Sequence, residues 1–126
     1  MNLLLDSHVF LWWNNEPEKL SSRILEMCKN PENSLFIIAG IWEMQIKFQL
    51  GKLRLHKSLA EIVRQEQENG IEILSIAPSH IFALDSLPDH HKDPFDRLLV
   101  AQALTEEMTL LSSDPLVAQY PANVEW

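Results

Sequence analysis

Short apolar runs alternate along this chain with segments of helical spacing, and this alternation limits the folds that it can adopt. The candidate strands lie at residues 3–5, 34–38, 71–76, 109–112 and 124–126. The run at 35–38 is unbroken, which is typical of a strand covered on both faces. Strands separated by helices predict an α/β protein, with a three-layer α/β/α arrangement around a central, mainly parallel sheet of four to five strands.

The chain has the length of one ordinary domain, so we expect a single domain over residues 1–126. Its one cysteine, Cys28, cannot form an internal disulfide, which is typical of a reducing cytosol and argues against a thiolate zinc site. The N-terminal apolar run is too short for a secretory signal, and no stretch approaches the roughly 18 apolar residues of a membrane span. These features predict a cytoplasmic protein with no membrane anchor.

The segment HKDPFDRLLVAQAL at residues 91–104 predicts a helix that begins at Pro94. Proline is favoured at the first helical position, so Asp93 is the expected N-cap and Asp96 the third helical residue. The residues that follow are apolar on most sides, which indicates a largely buried helix. One interpretation is a capping box, in which Asp93 accepts from the backbone N–H of Asp96 and Asp96 accepts from that of Asp93.

Four acidic residues have topological reasons to meet at one edge of the predicted sheet. Asp6 and Asp114 follow the first and fourth strand candidates, Glu43 lies one turn into the helix after the second, and Asp96 opens the helix before the fourth. Functional groups gather at the carboxyl ends of parallel strands. Each acid also has a structural alternative: Asp6 and Asp114 could cap the helices that follow them, and Glu43 could pair with Lys47 at i,i+4.

If these acids converge, they need protonation or a bound cation to coexist. Two carboxylates about 5 Å apart repel by roughly 3 kcal/mol at an effective dielectric of 20, a large fraction of a domain's stability margin. Hard oxygen ligands without thiolates favour Mg²⁺ or Mn²⁺. Such an ion can orient a hydrolytic water and stabilise the charge developing on a phosphodiester. The net charge of −8 opposes binding to nucleic acid unless a cation or a local basic patch offsets it.

With these residues identified, the chain resembles PIN-domain ribonucleases and, more narrowly, the VapC-type toxins of bacterial toxin–antitoxin pairs. The matching words are LLDSH at 4–8, IWEM at 41–44, LGKL at 50–53, DPFDR at 93–97, AQA at 101–103 and SSD at 112–114. They cover essentially the whole chain. No single word is specific, but their order and spacing together are a strong signal, and they imply a PIN-like fold.

The resemblance also implies roles for individual residues. The family's acidic quartet, which binds Mg²⁺ or Mn²⁺, corresponds to Asp6, Glu43, Asp96 and Asp114. Ser7 and Ser113 fall where the family often has a hydroxyl that binds water or orients a carboxylate. Asp93 is expected to be a cap or a group just outside the metal's own ligands, and Arg97 to position phosphate or support the acids.

The family cleaves RNA endonucleolytically, commonly as a homodimer, and a cognate antitoxin usually inhibits it through a segment placed in the acidic groove. The resemblance therefore implies a metal-dependent endoribonuclease toxin with an antitoxin partner. The alternative is a catalytically inactive PIN-like binding module, against which the intact quartet argues. A receiver domain also has an acidic pocket but needs a lysine late in the chain, and none follows Lys92.

The densest basic stretch comprises Lys47, Lys52, Arg54, His56 and Lys57. Its side chains, Lys47, Lys52 and Arg54 above all, could guide RNA phosphates toward the acids or could be an ordinary solvated surface. The histidines at 80, 90 and 91 lack the spacing of a structural zinc site. We expect the adjacent pair, His90 and His91, on an exposed loop near the acids.

Overall fold

The computed structural model describes residues 1–37 and 39–126. Within them, the strands and helices follow one another in the order β1 (Asn2–Leu5), α1 (Ser7–Asn15), α2 (Ser22–Lys29), β2 (Ser34–Ile37), α3 (Ala39–Gln49), α4 (Leu59–Glu68), β3 (Glu72–Ile73), α5 (Pro78–Ala83), α6 (Pro94–Thr105), β4 (Thr109–Leu111) and β5 (Val124–Glu125). Short 3₁₀ segments occur at Pro17–Lys19, Leu84–Ser86 and Val117–Gln119. In the described part of the chain, no helix is long and apolar enough to span a bilayer.

The sheet has five strands in the order β3-β2-β1-β4-β5, and every neighbouring pair is parallel. β1 lies at the centre, where Leu4 is in register with Phe36 of β2 and with Leu110 of β4. Because all the strands run the same way, their carboxyl ends share one edge of the sheet. The predicted parallel α/β architecture is confirmed.

The core lies on both faces of the sheet, which is the three-layer arrangement that the apolar runs predict. In β1, Leu3 and Leu5 pack on the side of Phe10 from α1 and of Met44 from α3. Leu4 packs on the opposite side, in the cluster formed largely by α6 and β4. The three leucines are almost fully buried, so neither face of the central strand is open to solvent.

Some element boundaries differ from the predicted ones. The strand predicted over 71–76 is confined to Glu72–Ile73, because it is an edge strand paired only with β2. The strand predicted over 34–38 ends at Ile37, and residue 38 lies outside the described residues. The helix predicted from 114 onward is only the 3₁₀ segment at Val117–Gln119. Gly51 has φ +72° after α3, the left-handed conformation that favours glycine at a helix C-terminus.

Candidate active site

The N-terminus of α6 positions Asp96, one of the four predicted acids. Asp93 is the N-cap, and its Oδ1 accepts from the backbone N–H of Phe95 at 2.8 Å and of Asp96 at 3.2 Å. This half of the predicted capping box is confirmed. The other half is wrong: the N–H of Asp93 donates to Nδ1 of His91 at 3.1 Å, not to Asp96. The Asp96 carboxylate is therefore left to face a cavity beyond the helix terminus.

All four acids of the predicted quartet line that cavity, which has a volume of about 80 Å³. Asp6 follows β1 directly, Glu43 lies in α3 after β2, and Asp114 follows β4 by two residues. The strand topology thus brings together side chains that are far apart in sequence. The remaining lining residues are Ser7, His8, Lys47, Asp93 and Ser113.

The local alternatives to convergence form for Asp6 and Glu43, but Asp114 does not cap a helix, because the 3₁₀ segment that follows has Leu116 as its N-cap. Oδ1 of Asp6 accepts from the N–H of Val9 at 2.9 Å and caps α1, while Oδ1 of Asp114 accepts from the N–H of Leu116 at 2.9 Å. Glu43 has Nζ of Lys47 at 3.4 Å from its Oε2. A carboxylate has two oxygens and about four lone-pair sites, so each acid can serve local structure and still present acceptors to the cavity.

The surroundings of Asp96 and Asp6 disfavour their ionised carboxylates. Burial raises the pKa of Asp96 to about 7, and the nearby carboxylates of Asp93, Glu43 and Asp6 add to the effect. Burial also raises the pKa of Asp6, against the hydroxyl of Ser112 and the N–H of Val9. A cation bound in the cavity would favour the ionised carboxylates and remove this cost.

Among the residues that the structure describes, two overlapping groups of donor atoms could hold a metal ion. In each group the atoms lie within 4.8 Å of one another: one group is Glu43, Asp93 and Asp96, and the other is His91, Asp96 and Asp114. Asp96 belongs to both. The carboxylate oxygens suit a hard dication such as Mg²⁺ or Mn²⁺, and the single cysteine of the chain lies apart in the hydrophobic core.

Two residues of the site were missed from the sequence. His91 was expected on an exposed loop, but its ring is only 14% exposed, with Nε2 2.9 Å from Oδ2 of Asp114 and 3.1 Å from Oδ2 of Asp96. Ser112 is buried beneath the cavity, and its Oγ accepts from the N–H of Asp114 at 3.2 Å. The expected hydroxyl, Ser113, lines the cavity but is exposed.

Ser7 and Arg97, two further residues of the predicted site, make defined hydrogen bonds. Ser7 donates from Oγ to Oε1 of Glu43 at 2.7 Å. Arg97 lies outside the cavity lining, where its Nη1 donates to the carbonyl of Pro88 at 3.0 Å and to the hydroxyl of Tyr120 at 3.1 Å. In this position Arg97 secures the loop before α6 and the segment that follows β4.

A second, small cleft adjoins the acidic cavity. It has a volume of about 150 Å³ and is lined in part by His8, Trp12, Arg54 and His56, and His8 lines both depressions. Lys52 is exposed in the same α3–α4 connection. A larger cleft of about 700 Å³ lies at the amino ends of β2 and β3 and contains none of the predicted site residues.

The family model described as PIN domain matches residues 3–122. A curated relative, Ribonuclease VapC22 from Mycobacterium tuberculosis, is 26% identical over 113 residues, which cover 89% of this chain and 86% of that protein.

Solved structures of low sequence identity share the fold. The crystal structure of VapBC2 from Rickettsia felis, bound to a DNA fragment from their promoter, aligns with a TM-score of 0.72 at 17% identity, covering 99% of this chain and 98% of the matched one. The structure of VapBC-1 from nontypeable Haemophilus influenzae aligns with a TM-score of 0.63 at 16% identity, covering 94% and 91%.

Proposed function

Because the chain belongs to the PIN-domain family, we propose that it is a metal-dependent endoribonuclease and the toxin of a toxin–antitoxin pair. The observation that carries the proposal is that Asp6, Glu43, Asp96 and Asp114 line one cavity at the carboxyl edge of the sheet. The similarity to Ribonuclease VapC22 over most of both chains supports RNA as the substrate.

In this proposal the quartet Asp6, Glu43, Asp96 and Asp114 holds Mg²⁺ or Mn²⁺. Glu43, Asp96 and Asp114 belong to the groups of donors close enough to share such an ion, and Asp6 lines the same cavity. When bound, the ion supplies an oriented hydrolytic water and offsets the charge that develops on the phosphodiester.

Neighbouring residues of the protein set the directions of two of the ligating carboxylates, Glu43 and Asp96. Ser7 orients Glu43 through its hydroxyl, and Lys47 lies against the other oxygen of the same carboxylate. Asp93 fixes the first turn of α6, and with it the direction of Asp96.

We propose that the RNA strand passes from the acidic cavity across His8 toward the cleft that contains Arg54. The chain carries a net charge of −8, so phosphate binding depends on such local basic groups. Lys47 lies at the cavity and Arg54 in the adjoining cleft, with Lys52 between them in sequence. Trp12, whose ring centroid is 5.7 Å from that of His8, offers an aromatic surface beside this path.

The proposed partner is a cognate antitoxin, and the groove between α3 and α4 suits it. Ile41, Trp42, Leu59, Val63 and Ile76 line an open apolar groove of about 670 Å³, and Trp42 is 62% exposed. Contiguous exposed apolar surface marks protein interfaces. The ring of Trp42 packs edge to face on that of Phe95 at 5.1 Å, in the first turn of α6 that also carries Asp96. A segment seated in this groove could therefore place a basic side chain in the acidic cavity. We also expect a homodimer that acts in the cytoplasm.

Sequencing of RNA 5′ ends after induced expression tests the proposed function. The wild-type protein should generate new ends that are absent when Asp6→Asn is expressed at the same level. Purified wild-type protein should generate the same ends with Mg²⁺ or Mn²⁺ and none with a chelator. If the wild type creates no ends that the variant lacks, the chain is the alternative, a catalytically inactive binding module.

A further inference from the structure

His91 is held between two acids of the quartet that come from different elements. Its Nε2 lies 3.1 Å from Oδ2 of Asp96, in the first turn of α6, and 2.9 Å from Oδ2 of Asp114, after β4. The residue therefore joins the two sides of the cavity. The position allows two roles with opposite requirements, because a metal ligand needs a free lone pair on Nε2 and a hydrogen-bond donor needs a proton there.

The other ring nitrogen distinguishes these roles. Nδ1 of His91 accepts a hydrogen bond from the backbone N–H of Asp93 at 3.1 Å, and a backbone N–H can only donate. Nδ1 must then carry the lone pair, so a neutral ring carries its single proton on Nε2. The proton on Nε2 points toward carboxylate oxygens, which accept it. The hydrogen-bond network thus assigns the tautomer.

The ring has little freedom to adopt the opposite arrangement. The backbone N–H of His91 donates to the hydroxyl of Tyr120 at 2.9 Å, and the same hydroxyl accepts from Arg97. Tyr120 is almost fully buried, so it is a firm anchor. With its backbone bonded to Tyr120 and Nδ1 to Asp93, the imidazole cannot turn over without losing the bond from Asp93.

We propose that His91 is a positioning residue: its Nε2–H donates to Asp96 and Asp114 and holds them together, and it is not itself a ligand of the metal ion. This inference rests on the proposed function, in which both acids are ligands. Groups that hydrogen-bond to ligating carboxylates fix their direction, and their loss weakens metal binding. Both acids retain further lone pairs for the ion.

The tautomer is measured in the metal-free protein by nitrogen NMR with ¹⁵N-labelled histidine, using His91→Gln to assign the His91 signals. We expect a proton on Nε2. A ring protonated on Nδ1 alone, with the lone pair on Nε2, would overturn the proposal. This measurement needs no metal, so it remains decisive even if the proposed nuclease function fails.

The same labelled protein loaded with Mn²⁺ tests ligation by pulsed electron paramagnetic resonance. We expect no directly coordinated imidazole nitrogen. A coordinated nitrogen that disappears in His91→Gln would show that His91 is a ligand, which overturns this inference but leaves the metal-dependent function intact. If the wild type binds no Mn²⁺ at all, the proposed function fails instead.

Matched variants separate positioning from general stability. Glutamine keeps an N–H donor near the Nε2 position, so Mn²⁺ affinity should fall at least about tenfold in His91→Ala and by no more than about threefold in His91→Gln. His90→Gln is the control, because His90 is exposed and its ring packs against Tyr120 rather than the acids. Equal affinities for wild type and His91→Ala, or equal losses in the Ala and Gln variants at unchanged melting temperature, would contradict the proposal.

Discussion

The hydroxyl of Ser7 donates a 2.7 Å hydrogen bond to Oε1 of Glu43, across a separation of 36 positions in the chain. Ser7 is the first residue of α1 and Glu43 lies in α3, so the bond joins two helices at the carboxyl edge of the sheet. Nζ of Lys47 lies near the other oxygen of Glu43, so the carboxylate is held from two directions. Its orientation is therefore set before any cation or substrate arrives.

Replacing Ser7 with alanine should release one side of Glu43. A hydrogen bond to a carboxylate contributes about 1–3 kcal/mol, and losing an orienting group beside a metal ligand typically reduces activity about tenfold or more. We expect Ser7→Ala to lower kcat for RNA cleavage about tenfold and to lower the melting temperature slightly. Ser79→Ala on the exposed face of α5 is the matched control. An unchanged kcat would contradict the orienting role.

Replacing Asp96 with asparagine should reduce RNA cleavage to background while the metal-free protein becomes more stable. The carboxylate is partly buried beside other acids, so an uncharged amide of the same shape removes an unfavourable charge. Cleavage of a labelled RNA and thermal melts without metal measure the two effects. Asp85→Asn, at an exposed position, is the control for both. Full-rate cleavage by purified Asp96→Asn would refute the assignment.

The sequence predicted that the acids lie at one edge of the sheet, because the carboxyl ends of parallel strands share an edge. The strand order was not predicted, and it is the direct pairing of β1 with β4 that brings Asp6 and Asp114 together there. The local alternatives, helix capping by Asp6 and the Glu43–Lys47 pair, were correct as well. Local and long-range roles are compatible because a carboxylate presents two oxygens.

The residues that were missed depend on contacts that no local pattern contains. The His91 ring contacts Asp114 and its backbone N–H bonds to Tyr120, and both partners are more than twenty residues away in sequence. The choice between Ser112 and Ser113 depends on where β4 ends. The strand ends at Leu111, one residue earlier than predicted, and Ser112 is the serine buried under the acids.

The stability of the metal-free protein should depend on pH through Asp96. Its pKa is raised to about 7 in the folded state, from 3.8, so the folded state binds this proton more tightly than the unfolded state does. This group therefore destabilises the protein increasingly as pH rises from about 4 to 7, by a few kcal/mol at most. The excess melting temperature of Asp96→Asn over wild type should grow across that range. A difference independent of pH would contradict this.

Mn²⁺ should raise the melting temperature of the wild type above that of Asp96→Asn, because the ion binds the folded wild type and relieves the repulsion among its carboxylates. A ligand at 100 times its Kd stabilises a folded protein by about 2.7 kcal/mol. We expect saturating Mn²⁺ to raise the melting temperature of the wild type and to leave that of Asp96→Asn nearly unchanged. Equal shifts in both proteins would mean that the ion binds elsewhere.

Replacing Arg54 with alanine should weaken RNA binding without affecting the chemistry or the metal. Arg54 lines the cleft that adjoins the acidic cavity through His8, so its loss removes one phosphate contact from the proposed path. We expect KM to rise at unchanged kcat and the salt dependence of binding to fall by about one unit of slope. Arg64→Ala, on the exposed side of α4, removes the same charge outside the path. If both variants change KM and the salt slope equally, the effect is one of net charge, and the strand does not follow this cleft.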